Sequence, residues 1–137
     1  MRRRCLAVLT GLICLGLLLS WSGSAAKADP RFRKQFEELY VKKDSAEPSE
    51  QAFAAKVKKA KCNLCHVGRN RKMRNAYGAE LSKLLDRKKD AKNVEKIRKA
   101  MATVAEIKAN PDDENSPTFG ELIAQGELPA SEEVSGN

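Results

Sequence analysis

The sequence predicts an all-α fold, a small domain of four to five helices, and two observations carry that prediction. Apolar residues recur at steps of three and four along most of residues 29–128, and nowhere does the apolar–polar alternation of a half-buried strand persist. Helix-capping residues and prolines fall where those apolar runs begin and end.

The first 28 residues stand apart from that domain. Arg2, Arg3 and Arg4 form a positive start, Leu6 to Leu19 is almost wholly apolar, and Ala26-Lys27-Ala28 places small residues at the two positions a signal peptidase reads. Residues 1–28 therefore read as a signal peptide cleaved after Ala28, and the mature chain as exported, periplasmic or otherwise extracytoplasmic. The apolar run is shorter than the ~20 residues of a membrane-spanning helix, so no span is expected in the mature chain; an uncleaved N-terminal anchor is the alternative. Cys14 follows Ile13, whereas a lipoprotein signal has a small residue there. Cleavage leaves 109 of the 137 residues, enough for one domain with a modest core.

Within that domain, Asp29 and Pro30 read as the cap and first position of a helix carrying Phe32, Phe36, Leu39 and Tyr40. Lys42 to Pro48 is a linker. A second helix from near Ser49 presents Phe53, Val57 and Ala60 and delivers the chain to Cys62. Gly68 to Asn75, GRNRKMRN, is basic and lacks a sustained apolar face, which predicts a loop. The third helix carries Tyr77, Leu81, Leu84 and Leu85. Asp90 is the expected cap of the longest helix, with Val94, Ile97, Met101, Val104 and Ile107 on one face and Asn110-Pro111 as its stop. Thr118 and Glu121 form a capping-box pattern for a short helix holding Phe119, Leu122 and Ile123, ended by Gly126. Residues 129–137 read as a flexible acidic tail.

Charge is unevenly distributed. The signal carries four basic residues (Arg2, Arg3, Arg4, Lys27) and no acidic one, so its removal lowers the net charge from +8 to +4. Lys56 to Lys108 holds 17 basic and 5 acidic residues, whereas Ala109 to Asn137 holds seven acidic residues and no basic one. Much of that basic band solvates helix faces, but Lys58, Lys59, Lys61, Arg69, Arg71 and Lys72 flank Cys62 to His66 and suit an acidic partner. Nucleic acid is not the expected partner, given the export signal and the scarcity of aromatic residues.

Signal cleavage also removes Cys5 and Cys14, leaving Cys62 and Cys65 as the mature cysteines, with His66, the chain's single histidine, beside them. A disulfide closing so short a loop constrains the unfolded chain little, which points the pair toward chemistry. Cys-x-x-Cys-His is the pattern of covalent c-type haem attachment: each thiol adds to a vinyl group to form a thioether, and the histidine beside them reaches the iron. A structural zinc site wants four ligands, and only three soft donors are present. A thioredoxin-like thiol pair expects a strand–helix–strand setting that the pattern lacks.

The stretch CNLCH resembles the haem-attachment motif of c-type cytochromes, and the exported, helical layout is similar to theirs; outside those five residues the likeness is architectural. The Tyr77-Gly78 pair and the segment SPTFGELI are similar to features of small exported bacterial haem chains. The resemblance implies a cytochrome c-like domain around one covalent haem c, with Cys62 and Cys65 as anchors and His66 as proximal iron ligand. It also implies electron exchange with redox partner proteins, one of them bearing an acidic docking surface, rather than enzyme catalysis. The candidates for a distal ligand are Met101, 35 residues beyond His66, and more weakly Met73. If neither serves, the distal site is open, and the alternative is a haem-based protein that binds or senses a small ligand. A haem-free metal or thiol-redox protein is the remaining alternative.

Overall fold

A computed structural model describes residues 29–68 and 70–130; the expected signal peptide with its cleavage point, Arg69, and the tail beyond Ala130 lie outside the described residues. Six α-helices and one two-stranded sheet make up the described chain. Helix α1 spans Pro30–Tyr40, and Asp29 caps it as expected, its carboxylate accepting the Arg31 N–H at 3.0 Å. Phe36 is buried on its inner face, while Leu39, a neighbour in the same apolar run, faces solvent. Helix α2, Pro48–Ala60, buries Phe53 and Val57.

The basic stretch after His66 corrects the sequence reading. Instead of a loop it forms an antiparallel hairpin, β1 (His66–Val67) against β2 (Asn70–Arg74), with His66 opposite Arg74, Val67 opposite Asn70 and an irregularity between those pairs. Gly68 makes the turn with φ +55°, a region open to glycine. Backbone hydrogen bonds and one glycine hold this hairpin, and no buried side-chain face is needed, so hydrophobic periodicity could not reveal it.

Helix α3 spans Ala76–Leu84 and is capped by Asn75, whose side-chain oxygen accepts the Gly78 N–H at 2.8 Å. The expected start of the longest helix also moves. Asp86 caps a single turn, α4 (Arg87–Asp90), accepting the Lys88 and Lys89 N–H groups, and Asn93 then caps α5, Val94–Ala105. Asp90, the expected cap, instead accepts the Asp86 N–H and the Lys96 ammonium, each at 2.8 Å, and so braces the junction between the two helices. This split adds one helix to the four to five expected.

Helix α5 lies at the centre, packed against α1, α3, α4 and α6. It buries Ile97, Ala100, Met101 and Val104, whereas of the expected face Val94 is 45% exposed and Ile107 lies beyond the end of the helix. Arg98 ties it to α1, donating to Gln35 at 2.8 Å and pairing with Glu38 at 3.0 Å. Helix α6, Phe119–Ala124, carries the full capping box of Thr118 and Glu121 and is joined to the end of α5 by the Phe119 N–H to Ile107 carbonyl bond of 2.9 Å. Gly126 follows it with φ +76°. Lys56 of α2 donates to the Gly126 carbonyl at 3.0 Å and pairs with Glu127 at 2.7 Å. Pro129 is fully buried and Ala130 packs on the core, so the ordered body runs past the point where the sequence suggests a tail. The domain is thus mostly helical, with one small sheet where an all-α fold was expected. Among the described residues no helix is long and apolar enough to cross a membrane.

Candidate functional site

Three elements converge on Cys62 to His66. Helix α2 ends at Ala60, and Lys61 turns the chain sharply with φ 52° and ψ −114°, the one non-glycine residue with positive φ among those described. A conformation of that kind costs about 1–3 kcal/mol and persists only where its surroundings enforce it. A 3₁₀ turn, Lys61–Leu64, follows, and the Cys65 N–H closes it on the Cys62 carbonyl at 3.2 Å. Leu64, 2% exposed, is driven into the hydrophobic core and anchors the turn, and it lines a cleft together with Cys62, Cys65 and His66.

Asn75 locks this turn onto α3. Its amide nitrogen donates to the Asn63 carbonyl at 3.0 Å and the Leu64 carbonyl at 3.2 Å, its side-chain oxygen caps α3, and its backbone N–H reaches the Cys65 carbonyl at 3.2 Å. One side chain therefore satisfies two carbonyls of the motif and one helix donor. Gly78 allows the same approach sterically: a Cβ there would lie 2.0 Å from the Cys65 carbonyl oxygen and 2.9 Å from the Cys65 Cα. The sequence reading passes over Asn75 as the last residue of a loop and notes Gly78 only through its resemblance. An asparagine three residues before a glycine and at the head of an apolar run was the available signal for a cap.

The imidazole of His66 is fixed by the hairpin. Its Nδ1 lies 3.2 Å from the Met73 carbonyl oxygen. A carbonyl only accepts, so Nδ1 carries the proton and, in the neutral ring, Nε2 keeps its lone pair free. Burial lowers the His66 pKa below its usual range, the positive charges of Arg74 and Arg71 lower it further, and the Met73 bond opposes them. The neutral, Nδ1-protonated ring is thus the form the site favours, and a carbonyl accepting from the far ring nitrogen orients histidine ligands on metals in the same way.

The two thiols are free, and burial, with a smaller contribution from Cys62, pushes the Cys65 thiol up to about 12. Among the described residues no three His, Cys, Asp or Glu side chains gather closely enough to hold a bare metal ion.

The cleft has a volume of about 210 Å³. The first turn of α1 contributes Pro30 and Phe32, α3 contributes Gly78, Leu81 and Leu85, and Cys62, Leu64, Cys65 and His66 complete a largely apolar wall. Arg33, Lys61 and Arg74, from three different elements, bring positive charge to it. An apolar plate bearing carboxylates and bonded along one edge fits this combination: apolar walls, thiols, a free imidazole nitrogen and cations. Beside the cleft, the hydroxyl of the fully buried Tyr77 has no partner, and its ring meets Phe36 and Phe119 edge-on at 5.9 and 5.4 Å.

Neither methionine lines the cleft. Met101 is 1% exposed within the core, and its carbonyl accepts from the Tyr40 hydroxyl at 3.4 Å. Met73 is 55% exposed, and its carbonyl stands behind the imidazole, on the Nδ1 side and away from Nε2. The structure brings together Cys62, Cys65 and His66 and leaves both distal candidates elsewhere. No family model, curated protein or solved structure matches the chain.

Proposed function

We propose that this chain is an exported monohaem c-type cytochrome that transfers electrons, with haem c bonded to Cys62 and Cys65 and ligated by His66. The observation that carries the reading is the His66 ring: its Nδ1 proton is committed to the Met73 carbonyl, which leaves the Nε2 lone pair available, and the residue lines the same cleft as both cysteines. When bound, the haem supplies one-electron exchange at its iron. The residues around it do the rest. Asn75 and Gly78 hold the turn against α3 so that both sulfurs and the imidazole keep one relative placement. Phe32, Leu81 and Leu85 exclude water from the cleft, and Arg33, Lys61 and Arg74 are available to the propionates.

In this reading cleavage after Ala28 delivers the domain outside the cytoplasm, and the basic residues flanking the motif steer an acidic redox partner. Encounter then slows as salt rises. A second reading, a haem protein with an open distal site that binds or senses a small molecule, is favoured by the placement of Met73 and Met101 away from the cleft. A structural zinc site wants four ligands, one more than the three soft donors of the mature sequence. The test is the visible spectrum, oxidised and reduced, of protein purified from a host with cytochrome-maturation machinery. A c-type haem spectrum that survives acid–acetone extraction supports the proposal; extraction of all the colour contradicts it. Carbon monoxide added to the reduced protein separates the two readings, because an open iron binds it at once.

A further inference from the structure

We propose that the α-amino group of Asp29, freed by cleavage after Ala28, is the sixth ligand of the haem held by Cys62, Cys65 and His66. The inference rests on the haem reading and on cleavage at that point, and it starts from the composition of the cleft. Both methionines lie elsewhere, whereas Asp29, the first residue of the mature chain, lines the cleft together with Pro30 and Phe32. Helix α1 and the turn that carries Cys62 lie against one another. A ligand from α1 therefore approaches from a different element than the segment bearing the anchors and His66.

Accounting for the other donors in the cleft leaves this nitrogen. The Asp29 carboxylate is engaged by the Arg31 N–H at 3.0 Å and the Arg31 guanidinium at 3.7 Å. Ser82 donates its hydroxyl to the Ala79 carbonyl at 2.7 Å. Lys61 immediately precedes Cys62, on the segment that carries the anchors. The nitrogen of a helix N-cap residue has no acceptor within its helix, and Pro30 restricts the backbone of the residue before it, so the direction of the amine is set in advance.

The test compares three exported, matured holo-proteins. They are the natural chain, a chain with two glycines inserted between Ala28 and Asp29, and Met73→Leu. The insertion preserves the residues a signal peptidase reads and displaces the amine by up to about 7 Å. N-terminal sequencing of the natural holo-protein is expected to give Asp-Pro-Arg, and its ferric spectrum to be six-coordinate and low-spin. The insertion is expected to convert the iron to high-spin and to speed carbon monoxide binding at least tenfold, while Met73→Leu stays low-spin. An N-terminus at any other residue, a high-spin natural protein, or an insertion variant that remains low-spin would overturn the assignment and leave haem attachment intact. A natural protein without a Soret band would overturn the haem reading first and this inference with it.

Discussion

The packing around α5 and the packing around Cys62–His66 use similar short helices but are closed by different forces. Around α5, Phe36, Tyr77, Ile97, Met101, Val104 and Phe119 bury one another almost completely, and paired aromatic edges fill the space between helices. Around the motif, one leucine is buried, the rest is held by backbone carbonyls bonded to Asn75, and apolar walls from α1 and α3 face a cleft. The first region is complete with the side chains of this sequence. The second presents apolar surface to a cleft, which is where the proposed haem would sit.

Removing the anchors breaks the comparison most severely. Cys62→Ala combined with Cys65→Ala is expected to abolish haem retention and to leave an unfolded or rapidly degraded chain, measured by circular dichroism and yield; a stable double variant with an unchanged dichroism spectrum would refute the dependence of the fold on its haem. Phe119→Ala attacks the self-contained region instead. It is expected to cost about 3–5 kcal/mol in denaturant unfolding while the visible spectrum of the folded fraction stays the same. Gly78→Ala reverses that pattern: overpacking costs about 1–3 kcal/mol, but the clash falls on the Cys65 backbone, so the spectrum and the yield of attached haem should change as well.

The smallest effect concerns neither region directly. The bond from Lys96, and then that from the Asp86 N–H, hold the Asp90 carboxyl below its ordinary pKa. A carboxyl lowered on folding stabilises the native state at neutral pH, and the contribution is lost as pH falls from about 4 through the folded value. Asp90→Asn should therefore lower the melting temperature at pH 6, and the gap from the natural protein should narrow toward pH 2. A gap of constant size would show that the carboxylate charge is not what braces α4 to α5.

Much of the helical frame was legible because it follows from periodicity and caps. Asp29, Thr118 and Glu121 cap as their residue types predict, and α5 buries Ile97, Met101 and Val104 of the face its spacing defines. The hairpin was not legible, because His66 to Arg74 pairs through backbone groups and its side chains are mostly charged or exposed. Asp90 misled for a related reason: Asp86, Asp90 and Asn93 are all acceptable caps, and tertiary pairing with Lys96 decided among them. At the site, Cys62, Cys65 and His66 could be named from their spacing alone. Asn75 could not, since its role is to reach Asn63 and Leu64, twelve and eleven residues earlier. Met101 could not be assigned either, because the sequence places it on an apolar face without saying whether that face meets the core or the cleft; it meets the core.

Intact-protein mass spectrometry of the exported protein, matured in a competent host and treated with a thiol-alkylating reagent under denaturing conditions, tests the central claim most directly. The account predicts one polypeptide heavier by a single haem and with neither Cys62 nor Cys65 alkylated. A polypeptide of bare mass carrying two alkyl groups would contradict it.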